Sequence, residues 1–242
     1  MNKKLKILIL ALITLTIIHT NVFAMHIMEG FLPPVWSIFW SIICIPFIII
    51  GLRSIKNKIN IDPKLKILLA MAGAFVFVLS ALKLPSLTGS CSHPTGVGLG
   101  AILFGPFAMS VIGVIVLLFQ ALLLAHGGIT TLGANTFSMA IVGPFVAFFT
   151  YKIVKKLNGA DWLAVFLAAT LGDLLTYIIT AVQLAIAFPS PDGGIAFSLA
   201  KFLGVFALTQ VPLAISEGIL TVVIFNVLKQ NSKKELERLG VI

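Results

Sequence analysis

The sequence FAMHIMEG at residues 23–30 divides the chain into a short leader and a long apolar part, and it decides which part folds. The leader, residues 1–24, has three lysines near its start, then an apolar stretch, and it ends on the small residue Ala24. These are the features of a secretory signal peptide. We therefore predict cleavage after Ala24 and a mature chain, residues 25–242, that forms one transmembrane domain. In the alternative interpretation the leader is an uncleaved anchor helix.

Cleavage at this position would create a chelating group from the first two residues of the mature chain. The new amine of Met25 and the amide nitrogen of His26 close one ring on a metal ion, and that amide with His26 Nδ1 closes a second. Three nitrogens near one plane suit nickel, copper or cobalt ions better than calcium or magnesium. The alternative is that His26 is an ordinary polar residue at a membrane interface.

The composition is that of an all-α integral membrane protein. Of the 242 residues, 59% are hydrophobic and 10% are charged, and the mean hydropathy is +1.12. Soluble domains have roughly 45–50% apolar residues. The net charge of +9 comes from lysines and arginines that flank apolar runs, which is typical of cytoplasmic loops. We therefore expect a lipid bilayer around the chain and no nucleic-acid partner.

Apolar runs after the leader predict the membrane spans. They lie at residues 34–52, 67–84, 96–125, 135–151, 162–188 and 197–228. Gly105-Pro106 divides the third run into a short piece and a full span, because proline breaks or kinks a helix. The mature chain is thus predicted to have seven membrane helices, the third short and broken. A helix too short to cross lipid must be sheltered by protein, which is the usual setting of a buried binding site.

The basic residues also predict the orientation of the chain. They concentrate at residues 53–66, 152–156 and 229–238, and basic loops face the cytoplasm. The mature amino terminus is therefore predicted to lie outside and to fold into the protein, and the carboxyl terminus to lie in the cytoplasm.

A loop ahead of the short helix supplies a candidate for the fourth nitrogen ligand. Residues 87–100 read LTGSCSHPTGVGLG, in which glycines permit close approach of the backbone and His93 is the one imidazole. The predicted orientation places this loop and the Met-His terminus on the same side of the membrane. His93 could then complete the metal site, and the alternative is a solvated or hydrogen-bonded loop histidine.

Four other polar residues need an interpretation. Asp173 and Glu217 interrupt apolar spans, where ionisable groups are costly and often functional, although hydrogen bonding for helix packing is the alternative. His126 borders an outward loop, and we assign it a supporting role beside the site rather than direct ligation. Glu29 either accepts a hydrogen bond near the terminus or offsets the charge of the metal.

Three motifs resemble those of the CbiM family, the cobalt-binding membrane subunits of energy-coupling-factor (ECF) transporters. They are MHIMEGFLPP at residues 25–34, GSCSHPTG at 89–96 and QALLLAHGG at 120–128, and the resemblance covers nearly all of the mature chain. The related nickel-binding NikM proteins share the Met-His start but open with Met-His-Ile-Pro-Asp-Gly, so Met28-Glu29 favours cobalt. The chain departs from the family at Val97, where many relatives have threonine.

The resemblance implies a substrate-capture subunit that is not an enzyme and needs no cofactor. Its metal ligands would be the Met25 amine, the His26 amide nitrogen and Nδ1, and the His93 imidazole, and its cargo would be Co²⁺, with Ni²⁺ as the alternative. It also implies a place in a bacterial or archaeal cytoplasmic membrane and a role in supplying cobalt for cobalamin synthesis.

If transport is driven by ATP, the ATPase must be another subunit, because the sequence has no Gly-x-x-x-x-Gly-Lys-Ser/Thr phosphate-binding loop. The partners that the resemblance implies are a CbiQ-like transmembrane coupling protein, a CbiO-like ATPase and a small CbiN-like membrane protein.

Two functions of other classes remain open at this point. The first is a self-sufficient secondary metal transporter, in which Asp173 and Glu217 would carry the coupled protons. The second is an intramembrane metalloenzyme built on His93, His126 and Glu217. The sequence has no His-Glu-x-x-His motif, which disfavours the enzyme.

Overall fold

Helices make up nearly all of the fold. The computed structural model describes residues 26–85 and 91–242, so the predicted leader, its cleavage point and Met25 lie outside the described residues. The helices are α1 (Pro34–Ile61), α2 (Leu65–Ala81), α3 (Val97–Phe104), α4 (Pro106–Leu124), α5 (Leu132–Lys156), α6 (Asp161–Ala187), α7 (Gly194–Asn231) and α8 (Lys233–Arg238). Two short strands, β1 (Leu84–Pro85) and β2 (Cys91–Ser92), pair antiparallel between α2 and α3.

Five of these helices, α1, α4, α5, α6 and α7, are long and apolar enough to cross a membrane. The apolar α2 is shorter, at 17 residues. Each lies where the sequence predicts a span, but several extend further: the run predicted at 34–52 continues as helix to Ile61. Hydropathy marks only the part of a helix that suits lipid, whereas backbone hydrogen bonding continues through the polar residues beyond it.

The short helix α3 lies at the centre of the bundle. Its eight residues span about 12 Å, well short of the roughly 30 Å hydrocarbon core. All of them are buried, and the helix contacts α4, α5 and α6. At Gly98 a Cβ atom would lie 2.8 Å from the Ala169 Cα atom of α6, so glycine is required for this approach. The break predicted at Gly105-Pro106 separates α3 from α4.

The bundle has two distinct ends. At one end, which we call the site end, the segments at residues 26–33, 91–96 and 125–131 meet. At the other, the carboxyl-terminal helix α8 is tied down by an ion pair between Arg238 and Asp62. Lys155 and Lys229 both pair with Asp161 at that end. The predicted cytoplasmic lysines therefore cluster at the end opposite to the site.

Candidate metal centre

Three histidines from distant parts of the sequence meet at the site end. The ring centroids of His26 and His93 are 4.5 Å apart, those of His26 and His126 also 4.5 Å, and those of His93 and His126 4.9 Å. All three side chains are buried. One nitrogen from each ring can be chosen so that the three atoms lie within 4.8 Å of one another. This is a separation that a single metal ion could bridge after small ring movements.

Each ring has a nitrogen with no hydrogen-bond partner among the described residues. These atoms are His26 Nδ1, His93 Nε2 and His126 Nε2. Buried polar atoms are normally hydrogen-bonded, so three such atoms in one place need an explanation. A metal ion that accepts all three nitrogen lone pairs supplies that explanation. The unpartnered Nδ1 of His26 is also the atom that the predicted chelate uses.

In His93 and in His26, a hydrogen bond made by one ring nitrogen leaves the other nitrogen available to a metal. His93 Nδ1 lies 3.0 Å from the carbonyl oxygen of Pro94, and because a carbonyl only accepts, Nδ1 carries the proton and Nε2 keeps its lone pair. His26 Nε2 lies 3.1 Å from Met139 Sδ, a weak acceptor, which leaves Nδ1 unprotonated in the same way. A second contact of this kind commonly orients metal-binding histidines.

The segment that carries His26 is held by the start of α5. The Asn135 side chain accepts a hydrogen bond from the Ile27 amide (2.8 Å) and donates one to the Ile27 carbonyl oxygen (3.0 Å). The Thr131 hydroxyl donates to the same carbonyl oxygen at 2.6 Å. The amide and the carbonyl of Ile27 are therefore both hydrogen-bonded to the side-chain amide of Asn135, as they would be to a neighbouring strand in a sheet. Residues 136–142 of α5, which include Met139, form a π-helical turn, a feature that often marks functional sites.

Glu29 fastens the same segment to the loop that carries His126. Its carboxylate accepts hydrogen bonds from the backbone amides of Ile129 and Thr130, and the Gly30 amide donates to the Thr130 hydroxyl at 2.9 Å. The contact with the Thr130 side chain, followed by the two backbone amides, lowers the pKa of Glu29 from its ordinary value. The hydrogen-bonding role predicted for Glu29 is thus confirmed.

Asp173 and Glu217 lie behind His93 rather than in the histidine cluster. Glu217 accepts hydrogen bonds from Thr95 and Gly96, and Asp173 accepts one from Gln210. Both carboxylates are buried. The alternative that the sequence left open for them, hydrogen bonding within the helix packing, therefore describes their contacts.

Burial keeps the three imidazoles neutral. Desolvation, followed by the charges of the neighbouring rings, lowers the pKa of His26 well below its ordinary value. Desolvation first, and the charge of Lys83 as a smaller cause, lower the pKa of His93 to about 4. Desolvation and the nearby His93 lower the pKa of His126 to about 3. Neutral imidazole is the form that binds metal, so at neutral pH no ring proton has to be displaced.

The structure brings together two of the three predicted ligands and adds a third histidine. His26 and His93 meet as predicted, whereas Met25 lies outside the described residues. His126, predicted from the sequence to support the site rather than to bind the metal, is as close to His26 as His93 is. Ala125 has a left-handed backbone conformation (φ 46°), which ends α4 and turns the chain so that His126 faces the other two histidines. No sequence pattern indicated this turn. Thr131 and Gln210 were also missed, because a polar residue in a helix or loop gives no sign of its distant partner.

Comparison with known proteins gives consistent results. Residues 26–235 match the CbiM family, described as the cobalt uptake substrate-specific transmembrane region. A cobalt transport protein CbiM of Chlorobium limicola is 61% identical over 233 residues, covering 96% of this chain and 92% of the relative. One of Moorella thermoacetica is 66% identical over 220 residues, covering 91% and 85%. The crystal structure of a truncated transition metal transporter superposes with a TM-score of 0.76 at 25% identity, covering 85% of this chain and 99% of that one.

Proposed function

This chain belongs to the CbiM family of multi-pass membrane proteins, and from that membership we propose that it is the metal-binding subunit of an ATP-driven cobalt uptake transporter of the ECF type. Its cargo is Co²⁺, which it captures outside the cell, and the cobalt serves cobalamin synthesis. The relatives that carry the name cobalt transport protein support cobalt as the ion.

The observation that carries the proposal is the convergence of three neutral, buried imidazoles on one point. Each offers a nitrogen with no other partner among the described residues. Imidazole nitrogen suits cobalt, nickel, copper and zinc, whereas calcium and magnesium prefer oxygen. A site of this kind discriminates against the abundant alkaline-earth ions by donor type.

The ligand set that we propose is the Met25 amine, the His26 amide nitrogen and Nδ1, and His93 Nε2. Support comes from the unpartnered state of His26 Nδ1 and His93 Nε2, and from the way Asn135 holds the chain directly after His26. His126 Nε2 lies near enough to approach the ion from a further direction. Binding through the amine and amide requires both to lose protons, so capture is coupled to proton release.

The topology that we propose has seven membrane helices, with α3 as the short third one, the processed amino terminus outside and the carboxyl terminus in the cytoplasm. The clustering of basic residues at the end that carries α8 supports this orientation. The metal centre then faces the outside, where the ion is scarce.

ATP-driven transport by this subunit would need partners, because the sequence has no phosphate-binding loop. We propose a CbiQ-like coupling protein, a CbiO-like ATPase and a CbiN-like membrane protein. A nickel-specific subunit of the same transporter type is the second candidate, since the same nitrogen donors suit Ni²⁺. A secondary transporter that uses Asp173 and Glu217 is disfavoured at Glu217, because both of its carboxylate oxygens accept hydrogen bonds from the backbone amides of Thr95 and Gly96.

The experiment that tests the proposal compares two forms of the purified protein. One is the processed form, whose first residue is established by amino-terminal sequencing, and the other is the same protein with its Met25 amine acetylated. We expect the processed form to begin at Met25 and to hold Co²⁺ at least tenfold more tightly, because an acetylated amine has no lone pair to give to the metal. Equal affinity of the two forms for Co²⁺ would show that the amine is not a ligand.

A further inference from the structure

One face of α7 is directed at the segment that carries His93. Thr209, Gln210 and Glu217 lie on this face, since seven residues complete almost two full helical turns. The hydroxyl oxygens of Ser92 and Thr209 are hydrogen-bonded at 2.8 Å. The segment is therefore attached to α7 on both sides of His93.

Glu217 makes the strongest of these attachments. Its carboxylate accepts a hydrogen bond from the Thr95 amide at 2.5 Å and from the Gly96 amide at 2.9 Å, and the Thr95 hydroxyl adds a contact at 3.1 Å. Hydrogen bonds to a charged acceptor are the stronger ones. Gly96 has φ 71°, a conformation that favours glycine and points its amide at the carboxylate. This carboxylate fixes the backbone directly after His93.

A second link reaches His93 itself. Gln210 Nε2 lies 3.2 Å from the carbonyl oxygen of His93 and 2.7 Å from Asp173 Oδ2, and it donates to both. Asp173 lies on α6, so the amide of Gln210 joins the His93 backbone to α6 and α7 at once. The side chains of His93, Asp173 and Gln210 are all buried, so bulk solvent does not compete for these bonds.

The other two histidines of the cluster are attached elsewhere. The segment carrying His26 is bonded to α5 through Asn135, and the loop carrying His126 is bonded to Glu29. Among the described elements α7 packs mainly on α6, and its far side is exposed at Leu208 and Ile219. A shift of α7 along α6 would therefore carry His93 away from His26 and His126.

We propose that α7 positions His93 at the metal centre, with Glu217 as the positioning residue, and that the ion is retained only while α7 keeps this place. The inference deepens the proposed function, since it rests on His93 being a ligand. It assigns to the two buried acids a role other than binding metal or carrying protons. Release of the ion follows when α7 moves, because the His93 nitrogen is withdrawn while the His26 nitrogens stay in place.

The test measures retention and ligand geometry in two variants and one control. Glu217→Gln keeps the size of the side chain but sets an amide N–H against a backbone N–H, and Gln210→Leu removes the second link. The control, Thr221→Val, changes a buried hydroxyl one turn further along α7 that has no hydrogen-bond partner among the described residues. Each protein is loaded with Co²⁺, and the rate of release to a chelator is measured with the visible absorption band of the bound ion.

We expect Co²⁺ release to be at least tenfold faster in Glu217→Gln, with a shifted absorption band. Gln210→Leu should show a smaller increase in release rate and a smaller band shift. Thr221→Val should release Co²⁺ at the wild-type rate with the wild-type spectrum. Wild-type rates and spectra in both test variants would overturn the inference. If Glu217→Gln does not fold, Thr95→Val, which removes only the hydroxyl contact, takes its place with Gln210→Leu.

A parallel variant, His93→Gln, separates the two hypotheses. If it holds Co²⁺ like the wild type, His93 is not a ligand and the proposed site fails. If it loses Co²⁺ while the Glu217 and Gln210 variants behave like the wild type, only the positioning role fails.

Discussion

The imidazole rings of His26 and His93 lie 4.5 Å apart between centroids with their planes tilted by 34°. Two neutral rings this close gain little from each other, and each buries a nitrogen that has no partner among the described residues. Leaving a buried polar atom unsatisfied costs about 1–3 kcal/mol. The pair is therefore arranged to bind a third group, which we take to be a metal ion.

The first prediction concerns His26. His26→Ala removes the ring nitrogen that points into the cluster, and we expect Co²⁺ affinity to fall at least a hundredfold, measured by equilibrium dialysis and metal analysis. His19→Ala is the matched control, because His19 lies in the predicted leader and should be absent from the mature protein. A loss of affinity in His19→Ala would contradict the predicted processing.

The second prediction concerns His126. Its Nε2 atom is buried without a partner among the described residues, and its ring centroid is 4.9 Å from that of His93. We expect His126→Gln to weaken Co²⁺ binding by about tenfold to a hundredfold, the range for groups that support a metal site. Affinity equal to that of the wild type would limit His126 to a structural role.

The third prediction concerns the stability of the metal-free protein in acid. The unfolded chain binds protons at its histidines below about pH 6.5, whereas the folded chain does so only near the pKa of His93, about 4, and that of His126, about 3. Between these limits the unfolded state binds more protons, so stability falls as the pH falls. We expect the Tm in detergent to drop from pH 7 to pH 4, and to drop less in His126→Gln. A Tm independent of pH over this range would contradict the buried neutral state of these rings.

The fourth prediction concerns the pH dependence of binding. The rings are already neutral well below neutral pH, so they cannot cause a fall in Co²⁺ affinity between pH 7.5 and about pH 5.5. The Met25 amine, with an ordinary pKa near 8, and the His26 amide can, because both must lose protons to bind. We expect a steep fall in affinity for the processed form and a shallower one for the form acetylated at the Met25 amine. The same slope in both forms would exclude the amine.

The fifth prediction concerns the packing of α3. A Cβ at Gly98 would lie 2.8 Å from the Ala169 Cα atom, so Gly98→Val forces α3 away from α6 and should destabilise the fold by about 1–3 kcal/mol. Gly204→Ala on α7 is the control, because a Cβ there meets no atom of the described residues within 4 Å and alanine favours helix over glycine. Thermal unfolding followed by circular dichroism measures both. A Tm for Gly98→Val equal to that of the control would show that α3 can shift without cost.

The sequence alone determined the class of protein and the places of its helices, since apolar run length and the position of lysines are local properties of the chain. It also indicated His26 and His93, because the motifs around them are long. It did not place His126 in the cluster, since that depends on the backbone turn at Ala125.

Only the tertiary structure decided how the histidine cluster is held together. The bonds from Asn135 to Ile27 and from Glu217 to Thr95 and Gly96 join residues more than 100 positions apart in the sequence. Such contacts depend on how the helices pack around α3, because the packing decides which residues face each other. Hydropathy and motif spacing carry no information about that geometry, because each describes one segment at a time.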